Sequence, residues 1–146
     1  MGDRFTLNDF FLDGYSGRNP NWGPLGYFTF KRTYARPLSD GNTEEFWQTC
    51  QRVVEGVFSS QKKHCLDLNL PWSETKAQKS AQEMYRRMWD FKWLPPGRGL
   101  WAMGTKALDK VGGACLNNCA FVSTENLSND NFSDPFLFLM DMSMLG

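Results

Sequence analysis

The segment from Ser73 to about residue 91 carries the clearest periodic pattern in this sequence of 146 residues, and it constrains the fold most strongly. Its apolar side chains recur at every third or fourth position, which is the spacing of one helix face. Ser73 stands before the pattern as a good N-cap, and Trp72 and Ala77 are placed like a hydrophobic staple. We predict an amphipathic helix over about 74–91. Its apolar face consists of Ala77, Ala81, Met84, Tyr85 and Met88.

A second helical pattern comes earlier in the chain. Asn42, followed three residues later by Glu45, resembles a capping box, and apolar residues then recur at helical spacing. We therefore predict a helix over about 43–58. Cys50 falls on its apolar face, where a cysteine behaves as a small hydrophobic residue, and we interpret it as part of the core. The apolar positions are Phe46, Cys50, Val53, Val54 and Val57.

Three other segments are less regular. Residues 1–24 mix glycine, asparagine and aromatic side chains without a clear period, and we predict a turn-rich arm there. Tyr27–Phe30 is expected to form a short β-like run that leads into a basic surface segment. LPPGRGLWAMGT, residues 94–105, contains two prolines and three glycines, so it predicts a tightly turning loop whose backbone can approach a ligand closely.

The C-terminal part of the sequence predicts one strand and one helix. Ala120–Val122 is expected to form a short buried strand. Asp134 and Pro135 suit an N-cap and a first helical position, and the helix that follows, PFLFLMDMSMLG, is apolar almost all round. A helix of this kind is normally buried, so we expect the chain to be part of something larger.

The charge balance excludes several classes of partner. Sixteen basic and sixteen acidic residues cancel, so no global field attracts nucleic acid or anionic lipid. No apolar run approaches the length of about 18 residues that spans a bilayer, and the N-terminus lacks the features of a secretory signal. We predict a cytoplasmic protein that binds neither nucleic acid nor membranes.

CLNNC places Cys115 and Cys119 four positions apart, and three interpretations compete: a metal site, a disulfide, or a thiol that takes part in chemistry. A reducing cytosol disfavours the disulfide. A structural zinc site needs four ligands, and the other candidates, His64 and Cys65, are expected on an exposed loop. Thioredoxin-like motifs have two intervening residues instead of three. From the residues alone, Cys119 is either a reactive thiol or a buried structural cysteine.

Four motifs in register resemble the N-terminal part of the monomeric, adenosylcobalamin-dependent (class II) ribonucleoside-triphosphate reductases. The resemblance implies an α/β fold, in which a mainly helical N-terminal region leads into the first strand and helix of a ten-stranded α/β reductase barrel, incomplete here. The motifs are KRTYAR (31–36), RVVEG (52–56), GRGLWAMGT (97–105) and LNNCAFV (116–122). The domains it implies are an N-terminal arm (1–24), a mainly helical region (25–112) and the start of the barrel (113–146).

The resemblance also implies roles for individual residues. Cys119 corresponds to one of the two reducing active-site cysteines, which form a disulfide in each turnover and are reduced again by thiol exchange. Arg98, Gly99 and Asn118 are expected near the substrate. The resemblance gives Cys115 no function, and we interpret that cysteine as incidental. No metal site is expected within this chain.

The implied function is the conversion of ribonucleoside triphosphates to 2'-deoxyribonucleotides by a thiyl-radical mechanism. The implied cofactor is adenosylcobalamin, with its site outside this chain. The implied partners are a ribonucleoside triphosphate substrate, a deoxynucleotide effector, a thioredoxin-like reductant and the remainder of the barrel, without which the chain is expected to be inactive. The alternative is a non-catalytic partner or regulatory fragment that uses KRTYAR to bind a nucleotide phosphate.

Overall fold

The computed structural model describes residues 4–125, 127–128 and 130–141, and among these it contains seven α-helices, one 3-10 helix and no β-strand. The chain divides after Thr105 into two compact units. None of the described helices is both long and apolar enough to cross a membrane. The α-helices are α1 (Asp9–Asp13), α2 (Gly23–Thr33), α3 (Phe46–Asp67), α4 (Glu74–Trp89), α5 (Gly97–Ala102), α6 (Lys106–Val111) and α7 (Asp134–Asp141), and the 3-10 helix is Gly113–Leu116.

α4 forms where the sequence predicts a helix. The Ser73 Oγ accepts a hydrogen bond from the Lys76 N–H at 3.4 Å, which caps the first turn. The helix ends at Trp89, close to the predicted end. Most of the predicted apolar face is buried, so the prediction is confirmed. The buried residues are Ala77, Ala81, Tyr85 and Met88.

α3 begins later than predicted. Its first helical residue is Phe46, because the capping box pairs Glu45 with Gln48 instead of Asn42 with Glu45. The Glu45 N–H donates to Gln48 Oε1 at 2.8 Å, and the Glu45 side chain accepts in return from the Gln48 N–H. The expected capping box is therefore present, but it lies three residues further along the chain.

α3 also continues beyond its predicted end, through Asp67, so the prediction that His64 and Cys65 lie on a loop is wrong. The additional turns are polar and contain neither glycine nor proline, and such a solvent-exposed helix lacks the apolar period from which a helix end is read. The backbone turns away only at Asn69, where φ is +54°. Asparagine tolerates this left-handed conformation better than most residues.

α3 and α4 pack together and form the core of the first unit. Cys50 on α3 is completely buried, and burial raises the pKa of its thiol. This confirms the interpretation of Cys50 as a core residue. The buried Tyr85 of α4 donates its hydroxyl hydrogen to the Trp47 carbonyl at 3.0 Å, so its polar end is satisfied within the core.

The N-terminal arm is more ordered than its composition suggests. Phe5 is completely buried against Phe58 of α3, with their ring centroids 5.3 Å apart. The Leu7 N–H donates to Oε1 of the buried Glu55 at 3.0 Å. These contacts join the start of the chain to α3, and α1 follows with Asn8 as its N-cap.

The β-like run predicted over Tyr27–Phe30 is wrong, because these residues lie in the middle of α2. Pro24 stands in the first turn, where its fixed φ favours a helix. Phe30 is buried, and its ring centroid lies 5.1 Å from that of Trp22 and 5.5 Å from that of Phe46. Packing of aromatic side chains against other elements therefore overrides the local preference of these residues for a strand.

The second unit, from Lys106 onward, lacks the strand predicted over Ala120–Val122 among its described residues, and the exposure of Phe121 there is 95%. A strand needs a neighbouring strand to pair its backbone, and the described residues provide none. α7 begins with Asp134, the predicted N-cap, as its first helical residue. Residues 142–146, over which this helix is predicted to continue, lie outside the described residues.

Candidate functional site

Three of the four motifs meet at α5 in the first unit. The loop predicted over 94–105 is wrong for its central residues, because Gly97–Ala102 form a helix that begins directly after Pro96. A helix of six residues is too short to be stable alone in water, so its conformation depends on what it packs against. The contacts come from Arg36 of KRTYAR and from Arg52 of RVVEG, which belongs to α3.

The strongest of these contacts is a buried ion pair between Glu44 and Arg52, which we call the Glu44–Arg52 clamp. Arg52 Nε donates to Glu44 Oε1 at 2.7 Å, and Nη2 donates to Oε2 at 2.9 Å. The same guanidinium donates to the Met103 carbonyl through Nη1 at 2.6 Å and to the Leu100 carbonyl through Nη2 at 2.8 Å. One planar cation thus joins a carboxylate to two backbone carbonyls at the end of α5.

The Glu44 carboxylate has two further donors. Its Oε2 accepts from Thr49 Oγ1 at 2.7 Å and from the Arg36 N–H at 3.2 Å. The Glu44 side chain is only 6% exposed and that of Arg52 only 12%, so the charges are nearly desolvated and are stabilised by one another and by these hydrogen bonds. Arg36 belongs to KRTYAR, and the network therefore connects all three motifs.

Two glycines allow the backbone of α3 to touch the residues after α5. Gly104 has φ +73°, and a Cβ there would lie 2.4 Å from the Arg52 carbonyl oxygen. A Cβ on Gly56 would lie 2.7 Å from the Gly104 nitrogen. Both distances are too short for a side chain, so glycine at these two positions of RVVEG and GRGLWAMGT is required for the close approach.

α5 also carries a cluster of basic and aromatic side chains, the Arg36–Trp101–Arg98 cluster. The guanidinium carbons of Arg36 and Arg98 lie 5.7 and 5.9 Å from the centre of the Trp101 ring, within the range of a cation–π contact. Burial, and then the positive charge of Arg52, lowers the pKa of Arg36. All three side chains of the cluster are partly exposed, so it is the cationic surface next to α5.

Of the predicted substrate-binding residues, Arg98 and Gly99 are neighbours on α5 in the first unit, whereas Asn118 belongs to the second unit with Cys119. Gly99 also has a structural reason to be glycine, because a Cβ there would lie 2.8 Å from the Pro95 Cβ. Asn118 and Cys119 follow the 3-10 helix, and both are exposed. Their predicted roles remain predictions.

The two cysteines of CLNNC lie in different environments. Cys115 is in the 3-10 helix and is 5% exposed, and its N–H donates to the Gly112 carbonyl at 3.2 Å. Cys119 is exposed beyond the end of that helix. Of the two thiols, therefore, only that of Cys119 is accessible to a reagent in the structure described.

The sequence interpretation missed Glu44, Thr49 and Gly104. A signal was present in α3, because Thr49, Arg52 and Gly56 recur at intervals of three and four residues and so share one helix face. A helix face that carries a hydroxyl, a guanidinium and a glycine among apolar residues indicates a close polar contact with another part of the protein. The identity of the partners, Glu44 and the end of α5, depends on tertiary structure.

Comparisons with known proteins agree with one another. A family model described as "Ribonucleotide reductase alpha domain" matches residues 7–105. The chain is 45% identical over 145 residues to a probable adenosylcobalamin-dependent ribonucleoside-triphosphate reductase of Dictyostelium discoideum, covering 97% of this chain and 19% of the relative. It is 45% identical over 148 residues to the adenosylcobalamin-dependent ribonucleoside-triphosphate reductase of Euglena gracilis, covering 99% of this chain and 20% of that protein.

The structural comparison gives the same result. A crystal structure of a B-12 dependent (class II) ribonucleotide reductase superimposes with a TM-score of 0.72 at 30% sequence identity, and the match covers 95% of this chain and 21% of that one. The chain thus spans about a fifth of the length of the relatives that it matches.

Proposed function

Because this chain belongs to the adenosylcobalamin-dependent (class II) ribonucleotide reductases and matches their N-terminal part, we propose that it contributes to the reduction of ribonucleoside triphosphates to 2'-deoxyribonucleotides. The observation that carries this proposal is the convergence of three motifs on α5. A buried ion pair, a pair of touching glycines and a cationic surface all serve one short helix. Such a set of supports is typical of a segment that must be held in place for a ligand.

In this proposal Cys119 is one of two thiols that supply the electrons for reduction. Two thiols become one disulfide and release two electrons and two protons, while the 2'-hydroxyl of the ribose leaves as water and a hydrogen takes its place on the carbon. The exposure of Cys119 supports this role, because a redox thiol must be reached by both its substrate and its reductant. The second thiol lies outside these residues, and a thioredoxin-like protein restores the pair.

The proposed substrate contacts follow from the resemblance to the family. Arg98 and Gly99 at the start of α5 are proposed to face the triphosphate, whose negative charge suits the cationic surface beside them. Asn118, which directly precedes Cys119 in the sequence, is also proposed to contact the substrate. Residues 113–146 are proposed as the start of the reductase barrel, after an arm over 1–24 and a helical region over 25–112.

The described residues identify no site for adenosylcobalamin. His64, the one histidine of the sequence, is exposed near the end of α3. Within the ranges that the structure describes, no group of three or more His, Cys, Asp or Glu side chains could hold a metal ion. We propose that parts of the enzyme beyond this chain bind the cofactor and the deoxynucleotide effector, and that the enzyme is cytoplasmic.

The alternative function, a non-catalytic fragment that binds a nucleotide phosphate through KRTYAR, is less consistent with the contacts. Lys31 Nζ donates to the Thr43 and Glu44 carbonyls at 3.2 and 3.1 Å and to Glu45 Oε1 at 2.8 Å. These bonds use all three of its donors. The Lys31 ammonium is therefore already bound within the fold and has no donor left for a phosphate in this structure.

A single-turnover experiment on the complete reductase tests the proposal. The enzyme is fully reduced, freed of reductant and given a ribonucleoside triphosphate with adenosylcobalamin, and its thiols are then alkylated and identified by mass spectrometry. We expect deoxynucleotide to form and Cys119 to become protected from alkylation in a disulfide, while Cys115 stays a thiol. Deoxynucleotide formation with Cys119 still free would contradict its role, and nucleotide binding without any deoxynucleotide would favour the alternative.

A further inference from the structure

We propose that Glu44 and Arg52 are positioning residues for the nucleotide site, and that their clamp sets the orientation in which α5 presents Arg98 and Trp101 to the substrate triphosphate. This inference rests on the proposed function, because it assigns a role within that same site. Neither residue is expected to touch the nucleotide, since both are nearly buried. Their effect passes through the backbone of α5.

The clamp contacts the C-terminal end of α5. The last carbonyls of a helix have no partner within the helix, and a short helix depends on what satisfies them. Arg52 donates to the carbonyls of Leu100, in the last turn, and Met103, the C-cap. A cation at this end also interacts favourably with the helix dipole. Arg52 therefore holds the end of α5 opposite to Arg98.

The contact between Glu44 and Arg52 is a nearly buried ion pair. Replacing a buried ion pair with apolar residues of similar volume is often neutral or stabilising, so stability alone does not require one here. A guanidinium forked onto a carboxylate fixes its own plane, and two of its three remaining N–H groups then determine where the Leu100 and Met103 carbonyls lie. The pair supplies a defined geometry, which a lysine or an apolar side chain cannot.

The Glu44 carboxylate also contacts a residue of the cationic surface. Glu44 Oε2 accepts from the Arg36 N–H, and the Glu44 N–H donates to the Arg36 carbonyl at 2.8 Å. The guanidinium groups of Arg36 and Arg98 both lie within cation–π distance of the Trp101 ring. Glu44 thus positions Arg36 directly and α5 through Arg52, so one buried group aligns both sides of the cluster.

The test separates positioning from stability by comparing variants of the complete reductase. Arg52→Met leaves the buried Glu44 charge without its partner and should lower the melting temperature. The double variant Glu44→Gln/Arg52→Met removes both charges, keeps an acceptor for Thr49 and Arg36, and should regain most of that loss. The carbonyls of Leu100 and Met103 remain without Arg52 in both.

We expect the double variant to keep a KM for ribonucleoside triphosphate raised about tenfold or more, with little change in kcat, because hydrogen bonds from a charged donor are lost. Arg52→Lys, which retains the charge but not the fork, should also raise KM. Hydrogen exchange should accelerate at the amides of residues 100–105. Arg87→Met, which removes an exposed ion pair with Glu83 on α4, is the matched control and should change neither KM nor this exchange.

A double variant with regained stability and the KM of the wild-type enzyme would overturn the inference, since the clamp would then only stabilise the fold. That result differs from failure of the proposed function itself. If the wild-type complete polypeptide makes no deoxynucleotide, the reductase proposal fails and the positioning role fails with it. An active wild-type enzyme with an unaffected double variant removes the positioning role alone.

Discussion

The two units of the chain carry motifs of similar length in sequence, but they use them differently in structure. In the first unit Arg52 of RVVEG is paired with the buried Glu44, and Gly56 of RVVEG lies against Gly104 of GRGLWAMGT. In the second unit only Cys115 and Pro135 are buried among the described residues, and LNNC presents Cys119 to solvent. The motifs of the first unit therefore hold α5 in place, whereas the thiol of Cys119 in the second unit is accessible to solvent.

The extent of apolar burial sharpens the contrast. α7 leaves Phe136, Phe138 and Met140 with exposures of 56%, 42% and 67%. The first unit instead buries a large set of apolar side chains between α3 and α4. The first unit contains its own core, whereas the described part of the second unit has an apolar surface much larger than its core.

The largest effect that tests this contrast is expected from two matched glycine substitutions. Gly104 and Gly112 both have positive φ, +73° and +79°, so alanine strains the backbone at either position. At Gly104 the added Cβ also meets the Arg52 carbonyl oxygen at 2.4 Å, whereas at Gly112 no atom lies within 4 Å. We expect Gly104→Ala to lower the free energy of unfolding by about 3 kcal/mol or more and Gly112→Ala by about 1 kcal/mol.

Denaturant unfolding of the complete reductase, followed by one probe in the first unit for Gly104→Ala and one in the second unit for Gly112→Ala, measures both changes. Equal losses for the two variants would show that the close contact between α3 and the residues after α5 does not form. A larger loss for Gly112→Ala would reverse the comparison of the two units.

A smaller effect is expected from the pH dependence of stability in the first unit. Burial raises the pKa of the Cys50 thiol above its value in the unfolded chain, so the folded state keeps a proton that the unfolded state loses. The stabilisation is complete below the unfolded pKa of about 8.5 and is lost as the pH rises above it. We expect a loss of about 1 kcal/mol between pH 8.5 and pH 9.5.

Cys50→Ala removes this titration and should flatten the curve of unfolding free energy against pH in that range, although it is less stable at neutral pH because it leaves a small cavity. Cys119→Ala, in the exposed position of the second unit, serves as the control, because it removes a thiol without making a cavity in the core around Cys50. A slope that survives in Cys50→Ala would assign the pH dependence to another group.

The elements that sequence predicted well are those whose signals are local. α4 has its own cap in Ser73 and its own apolar face, so its prediction needed no other part of the molecule. α2 and α5 were missed because their helices depend on docking, of Phe30 against Trp22 and Phe46 and of Leu100 against Arg52. Local propensity favoured a strand in one and a loop in the other.

The candidate site was predictable only in part for a similar reason. The motifs suggested Arg98, Gly99 and Cys119 as candidates, whose roles stay predictions, but they did not suggest the partners that hold α5. Glu44 lies eight residues before Arg52, and no periodic pattern in the sequence connects a residue outside a helix to one within it. The strand expected after Cys119 needs a neighbouring strand, which the described residues do not include.

The central proposal is that Cys119 is one of the two thiols that supply the electrons for reduction, and replacement of this one thiol tests it most directly. In the complete reductase, Cys119→Ser removes a reductant but leaves the support around α5 intact. We predict that a substrate labelled at the ribose 3' carbon still exchanges its label and releases free base, without forming deoxynucleotide. Cys115→Ser, the buried neighbour, should retain most turnover. Continued deoxynucleotide formation by Cys119→Ser over many turnovers with a thiol reductant would contradict the claim.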